Sequence, residues 1–361
     1  MFEMVKTKAK YIHLIGHNEP KFSSRVVKFI NDPSTGIDSG EHLFVVPFKE
    51  VYEIVKEYDN VILDTESPFL VNKYAPQCKW LICHGEHKVW DLYKIKNRYL
   101  GKVIYRYWGG GFGFRYKKGK LLSNFVKLFL NLERTRKFNK FAAIGIAKNV
   151  DIMNMRGKIK HNRFYYMPYT DISSEGILEK VRGKGYTGDG IINVGLYHRG
   201  TEDGNHIEIL EKLSRFGDKI RIYVPLSYGN KAYTEKVKAY IKENRKYNVI
   251  VVDEFMEYEE YVSLINRMDI GIFDCTTSTA LGNVAVYLFL KKKMFLNRDG
   301  VIKKAFDEEN IPHRIVDELD TISFEEFIKE AEYPDGVHYD LMPMGKTRAI
   351  EAWKKIIKDF N

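Results

Sequence analysis

What most constrains the fold is the repetition of short, β-branched apolar runs separated by helix-length amphipathic segments. YIHLI, LFVVP, NVILD, KWLIC, VIYRY and FAAIGI follow one another through the first 146 residues, with KFSSRVVKFI and FKEVYEIVKEY among the intervening segments. Runs of this length that are apolar on both faces predict buried parallel strands, and the amphipathic segments predict the helices that cross between them. The pattern lapses over 171–190, DISSEGILEKVRGKGYTGDG, a stretch rich in glycine and charge that is expected to be a linker. It then resumes with IINVG, KIRIYVP, NVIVVD, DIGIF and KMFLN as strands. NHIEILEKLSRF, KAYTEKVKAYIKENRK, EYEEYVSLINR and LGNVAVYLFLKK are the helices between them.

The expected architecture is therefore α/β, with two doubly wound sheets facing each other across a cleft. Residues 1–170 form a first domain, 171–190 the linker and 191–340 a second domain. Residues 341–361, which include GKTRAIEAWKKIIKDF, form an amphipathic helix that either caps its own domain or crosses back to the first.

Composition narrows the classes. A chain of 361 residues that is 44% hydrophobic buries a substantial core and is not disordered. Cys78, Cys83 and Cys275 make neither a disulfide framework nor a metal-ligand spacing, and MFEMVKTKAK lacks the apolar stretch of a secretory signal, so a reducing cytoplasmic location is expected. No apolar run approaches the roughly 18 to 20 residues that cross a bilayer, which leaves peripheral contact as the expected mode of membrane association.

The formal net charge of +10 is unevenly placed. Lys88 to Lys140 carries 15 Lys and Arg against two acids, whereas Val301 to Asn361 carries 9 basic and 14 acidic residues. A one-sided basic surface attracts phosphate-bearing partners: anionic lipid, nucleic acid or a lipid pyrophosphate. Within this segment Lys117, Lys118 and Lys120 lead into LLSNFVKLFLNLERTRKFNKF, where Phe125, Leu128, Phe129 and Leu132 share a helical face. That face either docks on its own core or forms an interfacial patch whose aromatics enter the headgroup region.

Candidate ligand contacts gather where strands end. In NVGLYHRGTEDGNHIEIL, Gly195 follows a strand and allows close backbone approach. Arg199 suits a diphosphate, and Asn205 with Glu208 has the spacing of a reciprocal capping pair. A well-capped helix after a flexible loop accounts for the same residues. CTTSTALGN places Thr276, Thr277, Ser278 and Thr279 before Leu281, Gly282 and Asn283 at a helix start, where hydroxyls and N–H groups hold phosphate or simply cap the helix. In VPLSYGN, Tyr228 is placed to stack on a base, although turn formation alone explains Gly229. Tyr258 and Tyr261 are assigned to packing.

YWGGGFGF at 107–114 is not a dinucleotide fingerprint, because Phe114 stands where the third glycine belongs. Acid–base candidates at strand ends of the first half are His17 and Glu19, Asp64 and Glu66, and His84, Glu86 and His87. There is no metal-ligand cluster and no Asp-x-Asp pair, so neither a metal nor another cofactor is expected.

GNHIEIL, VPLSYGN, EYEEYVSLINRMDIGIF, LGN and FLNRD together resemble the TDP-N-acetylfucosamine:lipid II N-acetylfucosaminyltransferases, glycosyltransferase family 56. The likeness covers about residues 191–325 and reaches the first half through LIGHNEP and YWGG; Gly111 stands where the family carries an acidic residue. The resemblance implies a GT-B fold of two Rossmann-like domains and metal-independent transfer of a deoxy or amino sugar, of the 4-acetamido-4,6-dideoxygalactose kind, from TDP. The implied acceptor is a polyprenyl-diphosphate-linked saccharide at the inner face of the cytoplasmic membrane.

On this reading Gly195, Arg199, Asn205, His206, Glu208, Tyr228, Thr279, Gly282 and Asn283 hold the donor, and Lys117, Lys118 and Lys120 meet the anionic membrane and acceptor. Glu19 or His17 is the base of an inverting reaction, with Asp64 and Glu66 in reserve. The rivals are a nucleic-acid-binding protein, for which no reader motif is present, and an epimerase or hydrolase of nucleotide sugars on the same fold.

Overall fold

The computed structural model describes residues 9–361 apart from 67–69, 86–90, 109–120, 156–158, 161–162, 169–173, 185–189, 199, 245–247, 337–338 and 340–344. The chain divides into two compact units, one formed by residues 1–172 with 344–361 and the other by 173–343.

The N-terminal unit is built on a seven-stranded parallel sheet of order β3-β2-β1-β4-β5-β6-β7. Its strands are β1 (Tyr11–Ile15), β2 (His42–Val46), β3 (Val61–Leu63), β4 (Trp80–His84), β5 (Val103–Arg106), β6 (Ala143–Ile146) and β7 (Phe164–Tyr166). The helices between them are α1 (Pro20–Asn31), α2 (Lys49–Val55), α3 (Leu70–Tyr74), α4 (Asp91–Lys94), α5 (Leu121–Phe138) and α6 (Asn149–Met155). β1, β2, β5 and β6 are buried along their whole length, as strands covered by helices on both faces must be.

In the C-terminal unit, α7 (Ser174–Gly183) precedes a six-stranded parallel sheet of order β10-β9-β8-β11-β12-β13. The strands are β8 (Ile192–Leu196), β9 (Ile220–Pro225), β10 (Val249–Val252), β11 (Ile270–Phe273), β12 (Lys293–Leu296) and β13 (Arg314–Ile315). They alternate with α8 (His206–Leu213), α9 (Lys231–Glu243), α10 (Tyr258–Asn266), α11 (Leu281–Phe289) and α12 (Val301–Glu308), and α13 (Phe324–Ile328) follows.

Two features differ from the sequence reading. β7 and β13 are edge strands of three and two residues, too short to show a period. The segment read as a linker holds α7, whose Leu178 and Val181 are fully buried and whose Val181 carbonyl accepts from Asn266 of α10. Two core residues three positions apart are enough to dock a helix but leave little trace in composition.

The last helix, α14 (Lys346–Asp359), belongs to the N-terminal unit. Its Ala349, Trp353 and Ile356 enter the core beneath β1, β2 and β4, and the Trp353 indole donates to the Pro168 carbonyl at 3.0 Å.

Candidate active site

In a doubly wound sheet the crevice opens beyond the carboxyl ends of the two neighbouring strands from which the chain winds in opposite directions. That point lies between β8 and β11 in the C-terminal unit and between β1 and β4 in the N-terminal unit.

At the C-terminal unit's crevice the central group is Asp274, the first residue after β11, which is 6% exposed. One carboxylate oxygen accepts from Asn205 Nδ2 at 2.8 Å and the other from Asn297 Nδ2 at 2.5 Å. Asn205 takes a left-handed conformation, φ 47° and ψ 32°, which asparagine tolerates better than most residues. Its side chain turns to Asp274 instead of capping α8, so the expected capping pair with Glu208 does not form. Glu208 is exposed and pairs with Lys212 at 3.8 Å.

His206 is fully buried with its Nδ1 3.2 Å from the Tyr233 hydroxyl. Burial, with His198 nearby, pushes its pKa down to about 4, so the ring is neutral, and its Nε2 is buried without a hydrogen-bond partner among the described residues. Gly195 also departs from expectation. It lies inside β8, and a Cβ there would sit 2.2 Å from the Tyr197 ring, so the close approach that requires glycine is made by that ring and not by a ligand. Arg199 lies outside the described residues.

The loop after β9 is sewn to the loop after β8: Gly200 N donates to the Tyr228 carbonyl at 3.0 Å, and Asn230 N donates back to the Gly200 carbonyl at 2.7 Å. Gly229, at φ 135°, is needed because a Cβ would fall 2.5 Å from the Gly200 oxygen. This leaves the Tyr228 ring 65% exposed. Tyr261, assigned to packing by the sequence, hydrogen-bonds the Asn283 side chain. Burial, with Tyr197 and Tyr228 nearby, holds its hydroxyl well above the ordinary tyrosine range.

α11 starts from Ala280, which is also left-handed, at φ 58° with no side-chain cap. The Thr279 hydroxyl is buried without a hydrogen-bond partner among the described residues, and the Thr279 backbone carbonyl accepts from the Cys275 thiol at 3.8 Å. Gly282 is exposed with open space where a Cβ would project, which excludes the packing role. Tyr228 and Gly282 are thus exposed and Asn283 half-buried, while Asp274 and Asn297 follow the neighbouring strands β11 and β12. Sequence reading passed over Asp274 and Asn297, although each is a polar residue at the end of an apolar strand.

At the N-terminal unit's crevice the backbones after β1 and β4 touch. Gly16 N donates to the His84 carbonyl at 3.0 Å, and a Cβ on Gly16 would lie 2.6 Å from the Gly85 oxygen. Gly85, at φ 80°, is pressed against Trp108, whose indole stacks on His17 with centroids 5.1 Å apart and planes 9° apart. His17 Nδ1 accepts from Glu19 N at 3.1 Å, so a neutral His17 carries its proton on Nε2. Glu19 is exposed at the start of α1 and makes no side-chain cap. His17, Glu19 and Trp108 therefore share one edge.

Asp64 and Glu66 do not join them. They follow β3, the edge strand, and Asp64 accepts from Lys73 at 2.7 Å, Tyr74 at 2.6 Å and the Glu66 N–H at 3.0 Å. Burial works to raise its pKa, but the Lys73 and Tyr74 hydrogen bonds hold it below the usual carboxylate value, and Glu66 is exposed and paired to Lys73 at 2.9 Å. A carboxylate so satisfied is a poor base. His84 turns inward: its Nε2 lies 2.8 Å from His13 Nδ1, and His13 Nε2 lies 2.8 Å from His42 Nδ1. Glu86 and His87 lie outside the described residues, as do Lys117, Lys118 and Lys120.

α5 does not bury its apolar face. Leu121 is 87% exposed, Leu122 81%, Phe125 71%, Phe129 67% and Leu132 61%. Lys137 and Phe138, at its far end, are the residues that dock.

The family model described as 4-alpha-L-fucosyltransferase, glycosyl transferase group 56, matches residues 8–333. The chain belongs to glycosyltransferase group 56. Among solved structures this group 56 member is similar to Anabaena Alr3699/HepE in complex with UDP, with a TM-score of 0.55 and 11% identity over 97% of this chain and 90% of that one. It is also similar to a glycosyltransferase from Rickettsia africae, with a TM-score of 0.55 and 14% identity over 97% and 94%. A trehalose-phosphate synthase from Burkholderia vietnamiensis gives a TM-score of 0.57 and 8% identity over 97% and 99%. At these identities the likeness is one of fold, and the fold of this glycosyltransferase is of the GT-B type.

Proposed function

We propose that this glycosyltransferase moves a deoxy or amino sugar from a nucleoside diphosphate, TDP in the favoured case, to a polyprenyl-diphosphate-linked saccharide at an anionic membrane surface, without a metal. The observation that carries the donor half is the crevice between β8 and β11. There an exposed Tyr228 ring offers stacking area, and Gly282 leaves the start of α11 open to an anion. Backbone N–H groups at that helix start, with the Asn283 amide, stabilise the diphosphate leaving group, the task a metal performs elsewhere. The UDP complex of the structurally similar HepE supports a nucleotide ligand, and the family's description as a fucosyltransferase supports a 6-deoxyhexose.

The acceptor is assigned to the N-terminal unit. If the reaction inverts, Glu19 takes the acceptor hydroxyl's proton as that oxygen attacks the donor's anomeric carbon and the nucleoside diphosphate leaves, and His17, clamped on Trp108, borders the sugar. α5 serves the lipid: its exposed leucines and phenylalanines enter the headgroup region while the basic residues of 88–140 meet anionic lipid. None of the described helices is long and apolar enough to cross a membrane.

The deciding experiment is thermal denaturation with TDP, UDP, GDP or CMP, with EDTA and with Mg2+. Stabilisation by one nucleoside diphosphate in EDTA is expected, and silence towards all four refutes the donor reading. Sedimentation with phosphatidylglycerol vesicles tests the membrane reading, which predicts that Phe125→Ser with Phe129→Ser reduces binding. Undiminished binding refutes it.

A further inference from the structure

Asp274 belongs to a network that no capping or packing rule requires. Its two carboxylate oxygens are divided between Asn205, at the end of the loop after β8, and Asn297, at the start of the loop after β12. The Asn205 bond spans the β8/β11 switch point, the place where the sheet opens to a ligand. The Asn297 side fastens the neighbouring loop: Asn297 Oδ1 accepts from Asp299 N at 3.0 Å, Gly300 N donates to the Asn297 carbonyl at 3.0 Å, and Val301 N donates to the Thr276 carbonyl at 3.3 Å. Asn205 is held at positive φ, so the direction in which α8 leaves the sheet depends on what its side chain grips.

We propose that Asp274 is the positioning residue of the donor crevice: by gripping Asn205 and Asn297 it fixes the spacing of the loops that flank the nucleoside diphosphate, without touching the ligand itself. The inference rests on the donor reading above and adds to it a residue that acts through two amides.

The chemistry supplies its own test, because the pattern of donors and acceptors survives an exchange. In the double variant Asn205→Asp with Asp274→Asn, the amide introduced at position 274 donates to the carboxylate introduced at position 205, and the side-chain carbonyl at 274 still accepts from Asn297. In Asp274→Ala both amides lose their acceptor, and in Asn205→Asp alone two carboxylates face each other. TDP and UDP are titrated calorimetrically into the full chain, and the donor KM and kcat are measured.

The expected result is at least a ten-fold weaker Kd in each single variant, entering KM more than kcat, with recovery to within about three-fold in the exchanged pair. Single variants that melt earlier but bind TDP or UDP as the wild type does overturn the proposal, since that is the behaviour of a merely structural contact. An exchanged pair that folds yet stays as weak as Asp274→Ala also overturns it, because the carboxylate at 274 then acts on the ligand directly. Should the single variants fail to fold, the exchanged pair alone decides by the same measure. A wild type that binds neither nucleotide refutes the donor reading itself, and wild-type binding with unaffected variants refutes only the positioning role.

Discussion

Lowering the pH should unfold the N-terminal unit through three buried imidazoles. His13, His42 and His84 are at most 2% exposed and are linked by two 2.8 Å contacts across β2, β1 and β4. His13 uses both ring nitrogens, so the neutral chain is satisfied when His13 donates from one nitrogen to one neighbouring ring and accepts at the other from the second. Burial is the main cause of every shift. It pushes His42 down to about 4, with Asp38 opposing and Lys10 assisting, and His84 down to about 3, with Arg106 assisting. It holds His13 well below the ordinary value, assisted by the other two rings.

Each group is therefore neutral in the folded chain and protonated in the unfolded chain once the pH is below the unfolded value of 6.5. The stability is fully present above pH 6.5 and is lost as the pH falls towards the folded values. One unmatched proton is worth about 1.4 kcal/mol per pH unit, so three give about 4 kcal/mol per unit below pH 6, or about 6 kcal/mol lost between pH 7 and pH 5. That is comparable with the whole stability of a domain, about 5–15 kcal/mol.

The assay is urea unfolding from pH 5 to 8 followed by tryptophan fluorescence, which reports this unit alone because Trp80, Trp90, Trp108 and Trp353 all fall within it. His42→Phe removes one titrating group beside the Tyr11 ring and should lower the slope by about a third. A stability that is flat from pH 7 to 5, or a slope that His42→Phe leaves untouched, would refute the reasoning.

Trp353→Ala should destabilise the N-terminal unit by about 3–5 kcal/mol, checked by tracking the remaining tryptophans in urea, since the ring is fully buried against Phe29 and His13. Glu19→Gln should lower kcat about 10²-fold or more if it is the base, whereas Asp64→Asn should leave kcat within a few-fold and instead lower stability by about 1–3 kcal/mol. The reverse ranking in steady-state assays would exchange their roles. Gly282→Val should weaken nucleotide binding in calorimetry while leaving the melting temperature nearly unchanged, because its Cβ meets nothing in the protein.

The strands were legible because a parallel strand covered on both faces must be apolar throughout, and YIHLI or DIGIF has no other stable place in water. The crevices followed, since polar residues directly after such strands mark the edge where the sheet opens. Side-chain direction was not legible. Asn205 and Glu208 have capping spacing, but the backbone at Asn205 is left-handed and Asp274 lies within reach, so the amide bonds across the crevice. Asp64, Glu66, His17 and Glu19 look alike in sequence; only the order of strands puts the first pair on the sheet's edge, neutralised by Lys73, and the second at the switch point.

The same division holds for the helices. Periodicity identified the apolar stripes of α5 and α14 without saying what covers them. The stripe of α14 fills the core beneath β1, whereas that of α5 is left in solvent. Local patterning sets which residues prefer to leave water, and that much is written along the chain. Which surface receives them depends on segments far apart in sequence arriving at one place, as Trp353 and Pro168 do, and only the folded chain decides it.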